Sequence, residues 1–134
     1  TNQIETITLG ADALFKFGKS DIDSILPMGR SSLDTLLTRL KNRYGALDQI
    51  RIHLVGYADP LGTSATNQRI STERAQTIQD YLIQGGVERH NISSEGRGDN
   101  SPIVTDCPRV ATPQSIACNK PNRRVVVSVS TPIR

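Results

Sequence analysis

The sequence predicts an α+β fold in which two helices pack on one face of a small mixed β-sheet, in β-α-β-α-β-β order. Two stretches have helical apolar spacing, and the stretches around them are rich in β-branched residues or alternate between apolar and polar residues. The chain has 134 residues, which is a common size for one domain with one core. We therefore expect a single domain over residues 1–134.

The first part of the chain carries a strand, a connection and a helix. Residues 4–9 (IETITL) are rich in β-branched residues, which is typical of a strand. The connection of residues 10–22 follows. From Ser31 to Tyr44 the apolar residues recur at helical spacing, and Gly45 is a stop signal. This pattern predicts the first amphipathic helix.

A second strand and a second helix follow. Residues 49–57 (QIRIHLVGY) alternate in the manner of a half-buried strand, and residues 58–64 form a turn with Pro and Gly. The second helix is expected from Asn67 to Gln84, where two glycines end it. The strand faces are predicted to be Ile50, Ile52 and Leu54 on one side, and Arg51, His53, Val55 and Tyr57 on the other.

The last part of the chain contains a weak strand, a long loop and a strong strand. Residues 91–96 (NISSEG) are the weak candidate, and residues 123–130 (RRVVVSVS) carry alternating valines. The loop between them holds Cys107 and Cys118, so a disulfide is expected, with two free buried thiols as the alternative. A bridge would stabilise the fold by roughly 2–4 kcal/mol and imply an oxidising compartment.

Composition and motifs argue against several functions. The net charge of +3 is small and dispersed, and five aromatic residues with no Trp offer few rings for stacking on bases. His53 and His90 lie apart without ligand partners, which argues against a metal site. We find no catalytic set, no cofactor motif and no apolar run long enough for a transmembrane helix.

The second helix turns polar on its inward face. Stepping back from the core positions Ile78 and Leu82 by three and four residues reaches Arg74, Ser71 and Asn67. Such a change usually marks a cavity or a ligand. Asp59 lies just beyond the carboxyl end of the preceding strand, so it could face Arg74 across one crevice. The alternative is a structural ion pair between the two.

Four motifs are spaced along the chain: G-Y-A-D at the end of the second strand, N-Q-R-I-S-T-E-R-A in the second helix, G-R-G after the third strand, and N-R-R-V at the start of the last. Together they resemble the OmpA C-terminal family, which also includes peptidoglycan-associated lipoproteins and flagellar stator proteins. All four occur in the order typical of the family, and the likeness spans nearly the whole chain. The resemblance implies a β-α-β-α-β-β fold.

The resemblance also implies a non-covalent peptidoglycan-binding role without catalysis, in which the outer membrane is anchored to the cell wall. The family's ligand is the diaminopimelate of the stem peptide, and the expected ligand-binding residues are Asp59, Arg74, Asn67, Phe17 and Gly18. One carboxylate and one guanidinium would match the ammonium and the carboxylate of the diaminopimelate end. A periplasmic location follows, with this domain outside the membrane.

Two departures from the family pattern bear on these expectations. Ala58 stands where the family usually has Thr, so we expect Thr63 or Ser64 to help position Asp59. The long insert around the two cysteines resembles OmpA proper more than the lipoproteins. The parent is therefore expected to be a longer outer-membrane protein with a wall-binding tail.

Three other functions remain as alternatives. An RNA-binding α+β module would need aromatic residues on its inner strands, and the predicted strands offer only Tyr57. A wall hydrolase would need a nucleophile or a metal set. A protein-interaction domain would use Asp59 and Arg74 only as a structural pair.

Overall fold

The computed structural model describes residues 2–131, and they form a four-stranded mixed sheet with four helices. The sheet order is β1-β4-β2-β3, in which β4 is antiparallel to both of its neighbours and β2 is parallel to β3. The elements are β1 (Asn2–Gly10), α1 (Ala11–Leu14), α2 (Pro27–Tyr44), β2 (Arg51–Tyr57), α3 (Ser64–Gln84), β3 (Ile92–Gly96), α4 (Pro113–Cys118) and β4 (Arg124–Thr131).

One hydrophobic core joins the two long helices to the inner face of the sheet, which confirms the predicted fold class. From α2 and α3 it receives leucines and isoleucines at helical spacing, and from the strands it receives the alternate apolar positions. Its members that are at most 2 % exposed include Leu33, Leu40, Ile52, Leu54, Ile78, Leu82, Val125, Val127 and Val129.

Both long helices begin earlier than the apolar spacing predicted. The helix α2 starts at Pro27. Proline has no backbone N–H, but the N–H groups of a helix's first turn make no hydrogen bond within the helix, so none is lost. The helix α3 starts at Ser64 because the hydroxyl of Thr63 accepts a hydrogen bond from the N–H of Thr66 at 3.1 Å. Caps and prolines, rather than apolar residues, therefore set these starts.

The outer face of the sheet is less exposed at one end than the alternation of β2 indicated. Tyr57 is only 8 % exposed, because the guanidinium of Arg124 lies 3.8 Å from its ring centroid. Arg97 also donates a hydrogen bond to the Tyr57 hydroxyl at 3.3 Å. Val55 is buried too, whereas Arg51 is exposed and His53 is half-buried.

The loop between β3 and β4 is built around the predicted disulfide, which joins Cys107 and Cys118. Inside it lies the short helix α4, which the sequence reading treated as loop. The side chain of Asn122 is fully buried and accepts hydrogen bonds from the N–H groups of Ile103 and Val104 at 2.7 and 2.9 Å. The loop is therefore an ordered part of the fold.

The amino-terminal half of α3 lies very close to the sheet. A Cβ at Gly56 in β2 would collide with the carbonyl oxygen of Ser71, and one at Gly96 in β3 would collide with Thr72. Two glycines thus allow the polar half of α3 to rest against the backbone of the strands. No helix within residues 2–131 combines the length and the apolar character needed to cross a membrane.

Candidate functional site

A cavity of about 320 Å³ lies beyond the carboxyl end of β2, beside the start of α3. The structure brings all five of the expected ligand-binding residues to its wall, together with Arg123. The five are Phe17, Gly18, Asp59, Asn67 and Arg74. Residues from three separate parts of the chain therefore converge on the place where α3 turns polar.

Arg74 is a buried cation that no carboxylate contacts directly among residues 2–131. It is 3 % exposed, and its Nε donates a hydrogen bond to the carbonyl of Lys19 at 2.9 Å. Its guanidinium carbon lies 5.7 Å from the ring centroid of Phe15. Burial lowers the pKa of Arg74, although nearby Asp12 and Asp59 partly offset this effect. Within the described residues Arg74 forms no salt bridge.

Asp59 is paired with Arg123 rather than with Arg74. Its Oδ2 accepts a hydrogen bond from Nη1 of Arg123 at 2.6 Å, and its Oδ1 accepts one from the N–H of Leu61 at 3.0 Å. The expectation that Thr63 or Ser64 helps to position Asp59 is wrong: within the described residues the carboxylate bonds to Arg123 and Leu61, and the Thr63 hydroxyl caps α3. Asp59 and Arg74 do border one cavity, as predicted. The ion pair of Asp59, however, is formed with Arg123 and not with Arg74.

Arg123 is the best-connected side chain of the site. Its guanidinium makes two hydrogen bonds to the carboxylate of Asp12, at 2.9 and 2.8 Å, and one to the carbonyl of Ile116 at 2.9 Å. Burial opposes its charge, but the hydrogen bonds to Asp12 and Asp59 outweigh burial and raise the pKa of Arg123. Arg123 is thus permanently charged, and it also lies 5.3 Å from the ring centroid of Phe17.

Asn67 joins two loops at the rim of the cavity. Its amide nitrogen donates to the carbonyl of Gly62 and to Oδ2 of Asp99, both at 3.3 Å. Phe17 is 61 % exposed, and Gly18 has a φ of 74°, a conformation that favours glycine. The exposed ring of Phe17 and the backbone at Gly18 form part of the cavity wall.

Ser71, which the polar stripe of α3 also includes, serves the fold. Its hydroxyl accepts a hydrogen bond from the N–H of Gly98 at 2.9 Å, and it is fully buried. The carbonyl of Gly98 in turn accepts a hydrogen bond from the N–H of Ala58 at 2.7 Å. These bonds attach the G-R-G motif to α3 and to the residue before Asp59.

The sequence reading missed the roles of Asp12 and Arg123. Arg123 belongs to the N-R-R-V motif, so a signal for it was present, but no spacing rule linked it to Asp59. Asp12 lies in the short helix α1, 111 positions from its partner in the sequence. No local pattern connects residues so far apart.

A comparison with protein-family models matches the OmpA family over residues 14–115. Among curated proteins, outer membrane protein A from Shimwellia blattae is 36% identical over 132 residues, which covers 95% of this chain and 52% of the relative. Outer membrane protein A from Klebsiella aerogenes is 36% identical over 127 residues, covering 93% of this chain and 35% of the relative. The chain thus spans between about a third and a half of these relatives.

Solved structures with the same fold include proteins from several systems. The periplasmic domain of Helicobacter pylori MotB superposes with a TM-score of 0.73 at 20% identity, covering 99% of this chain and 80% of that one. The cell wall anchor of the T6SS from Pseudomonas aeruginosa gives 0.69 at 25% identity, with 95% and 81% covered. The peptidoglycan-associated lipoprotein from Burkholderia pseudomallei gives 0.69 at 20% identity, with 92% and 89% covered.

Proposed function

We propose, since this chain belongs to the OmpA family, that it binds peptidoglycan non-covalently through the diaminopimelate of the stem peptide and anchors the outer membrane to the cell wall. The domain is periplasmic, as its homology to outer membrane protein A indicates. Two structural neighbours are named as a cell wall anchor and a peptidoglycan-associated lipoprotein, which supports a wall ligand. The role is one of binding, without a chemical step.

The observation that carries the proposal is the state of Arg74. A guanidinium that is 3 % exposed and lacks a direct carboxylate partner within the described residues is costly to bury. A ligand carboxylate entering the cavity would supply that partner, through charge-assisted hydrogen bonds. Arg74 therefore has the chemistry to bind a carboxylate in this cavity.

The ammonium of the ligand would be held by Asp59. Its side chain is 13% exposed and borders the same cavity as Arg74, so an ammonium can reach it from the solvent side. The backbone around Gly18 and the amide of Asn67 lie on the same wall and offer further polar contacts. Together these groups match a free amino acid end, which carries one positive and one negative charge.

The competing functions fit the structure less well. An RNA-binding module needs exposed aromatic rings on its sheet. Tyr57 is the only aromatic residue in the described strands, and it is covered by Arg124. An interaction domain with a structural Asp59–Arg74 pair would need those two groups in contact, whereas Asp59 is paired with Arg123.

The test is the retention of the domain by purified cell walls that differ in one stem residue. Walls with meso-diaminopimelate should retain the domain, whereas Lys-type walls, which lack the second carboxylate, should retain it at least about tenfold less. Free meso-diaminopimelate should compete for binding, and free lysine should compete poorly. Equal retention by both walls would contradict the assignment of Arg74 as the carboxylate partner.

A further inference from the structure

Arg123 connects the cavity to the disulfide segment, which we define as residues 107–118. One guanidinium donates to Asp59 in the cavity wall, to Asp12 after β1, and to the carbonyl of Ile116 in α4. The side chain of Arg123 is only 6% exposed, so solvent contributes little to fixing its orientation. Three separate parts of the fold therefore meet at one planar group.

We propose that Arg123 is the positioning residue for Asp59, and that the disulfide segment holds Arg123 in place through the carbonyl of Ile116. The inference rests on the proposed function, because Asp59 is the ligand residue concerned. Arg123 acts through Asp59 and leaves the ligand contact to it. On this proposal the disulfide stabilises the loop and also helps to position the binding site.

The geometry of a guanidinium explains why its anchors matter. Its donors lie in one rigid plane, so the bonds that fix part of the plane also fix the rest. Two bonds to Asp12 and one to Ile116 set the plane, and one of the two N–H groups of Nη1 then donates to Oδ2 of Asp59. Loss of the Ile116 anchor would let the plane tilt about Asp12.

The Ile116 carbonyl depends on the bridge because α4 is too short to be stable alone. The helix has six residues, fewer than isolated helices need in water. The Cys107–Cys118 bridge closes the segment at its end, and a capping box between Thr112 and Ser115 fixes its start. Opening the bridge removes one of these two supports.

The binding test is a double-mutant cycle, measured by calorimetry with a stem peptide that contains meso-diaminopimelate. Arg123→Lys keeps the charge but lacks the planar fork, and Cys107→Ser combined with Cys118→Ser removes the bridge. Each change should weaken binding about three- to tenfold, and their combination should be no weaker than Arg123→Lys alone. Additive losses, or unchanged binding after removal of the bridge, would overturn the proposal.

The matched control is the adjacent residue, Arg124. It is buried to a similar degree but stacks on Tyr57 and donates to the carbonyl of Ser101, away from the cavity. Arg124→Lys should leave the affinity unchanged at a temperature where all variants are folded, as circular dichroism establishes. A loss equal to that of Arg123→Lys would point to general destabilisation and refute positioning.

A measurement without ligand separates this inference from the proposed function. The N–H of Leu61 donates to Oδ1 of Asp59, so its chemical shift and hydrogen exchange report how that carboxylate is held. Opening the bridge should shift the Leu61 signal and speed its exchange severalfold, while the N–H of Gly98, held by Ser71, should not change. An unchanged Leu61 signal refutes the coupling, even if the wild-type domain fails to bind peptidoglycan.

The state of the bridge is checked in each sample by mass after alkylation. The unreduced wild-type protein should take up no alkyl group, because Cys107 and Cys118 are joined. The reduced protein should take up two. A Leu61 signal that is the same in these two verified states would contradict the proposal directly.

Discussion

Replacing Arg74 with methionine should separate the stability of the domain from its binding. Methionine keeps most of the volume of the side chain but removes a buried charge that burial already disfavours. The variant loses the charged hydrogen bond to the Lys19 carbonyl, about 1.5–3 kcal/mol, and the contact with the Phe15 ring, about 0.5–2 kcal/mol. The relieved desolvation of an unpaired ion is of the order of several kcal/mol.

These opposing contributions largely cancel, so Arg74→Met should be about as stable as the wild type, to within about 2 kcal/mol. For a domain of 134 residues a gain of 1 kcal/mol raises the melting temperature by about 3–5 °C. Binding should fall about 10- to 150-fold, since a charged hydrogen bond contributes about 1.5–3 kcal/mol.

The assays are thermal melts and pull-downs with purified cell walls. The control is Arg124→Met, which removes a similarly buried arginine outside the cavity. Burial lowers the pKa of Arg124 as well, but Arg124→Met loses two charged hydrogen bonds, to the carbonyls of Asn122 and Ser101, in addition to the close contact with Tyr57. It should therefore be less stable than the wild type, and it should keep its binding. A loss of more than about 2 kcal/mol in Arg74→Met, together with intact binding, would show that Arg74 is a structural residue.

Three further predictions follow from the same structure. Asp59→Asn should weaken wall binding and lower the free energy of unfolding by about 1–3 kcal/mol, because Arg123 loses one of its two carboxylate partners but keeps Asp12. A denaturant titration that finds no loss of stability would contradict the pairing of Asp59 with Arg123. Gly56→Ala should lower the free energy of unfolding by about 1–3 kcal/mol or more, because the new Cβ would collide with the Ser71 carbonyl. Gly10→Ala is the control in the same denaturant titration: its Cβ meets no atom within 4 Å, so its stability should be nearly unchanged. The hydrogen bond from Tyr44, aided by Arg39, lowers the pKa of Glu5 below its ordinary value of 4.5, so the ionised Glu5 stabilises the fold above that pH and this stability is lost as the pH falls through the lowered pKa. In Glu5→Gln, the melting temperature should therefore fall less steeply with pH below about pH 4.5 than in the wild type. An unchanged pH dependence would refute the assignment.

Much of the fold could be predicted because its signals are local. The apolar spacing of α2 and α3, and the alternation within β4, follow from the periods of the helix and the strand. The short helix α4 could not be predicted this way, because its buried residue is the polar Ser115 and its supports are a disulfide and a cap. The burial of Tyr57 could not be predicted either, because Tyr57 lies on the face expected to be exposed to solvent. It is covered by Arg124, which is distant from it in the sequence.

In the candidate site too, the features with a local sequence signal could be predicted and the long-range contacts could not. Arg74 was detectable because it interrupts the core stripe of a helix, and Asp59 because it follows the end of a strand. The partner of Asp59 was not detectable, since Arg123 approaches it from 64 positions further along the chain. The sequence thus indicated two charges of the cavity wall, Asp59 and Arg74, while the structure was needed to learn that Arg123 also lies there and neutralises Asp59.

That pattern of neutralisation bears on selectivity. Two carboxylates, Asp12 and Asp59, and two guanidinium groups, Arg74 and Arg123, give these four groups a formal charge of about zero when all are ionised. A zwitterionic end brings no net charge into this partly buried site, and each of its charges meets an opposite one. An ammonium alone, as at the end of lysine, would leave a net positive charge and no partner for Arg74, and uncompensated charge is costly at low dielectric. Under the proposed function, selectivity for diaminopimelate over lysine would therefore arise both from the charge balance of the four groups and from the single contact at Arg74.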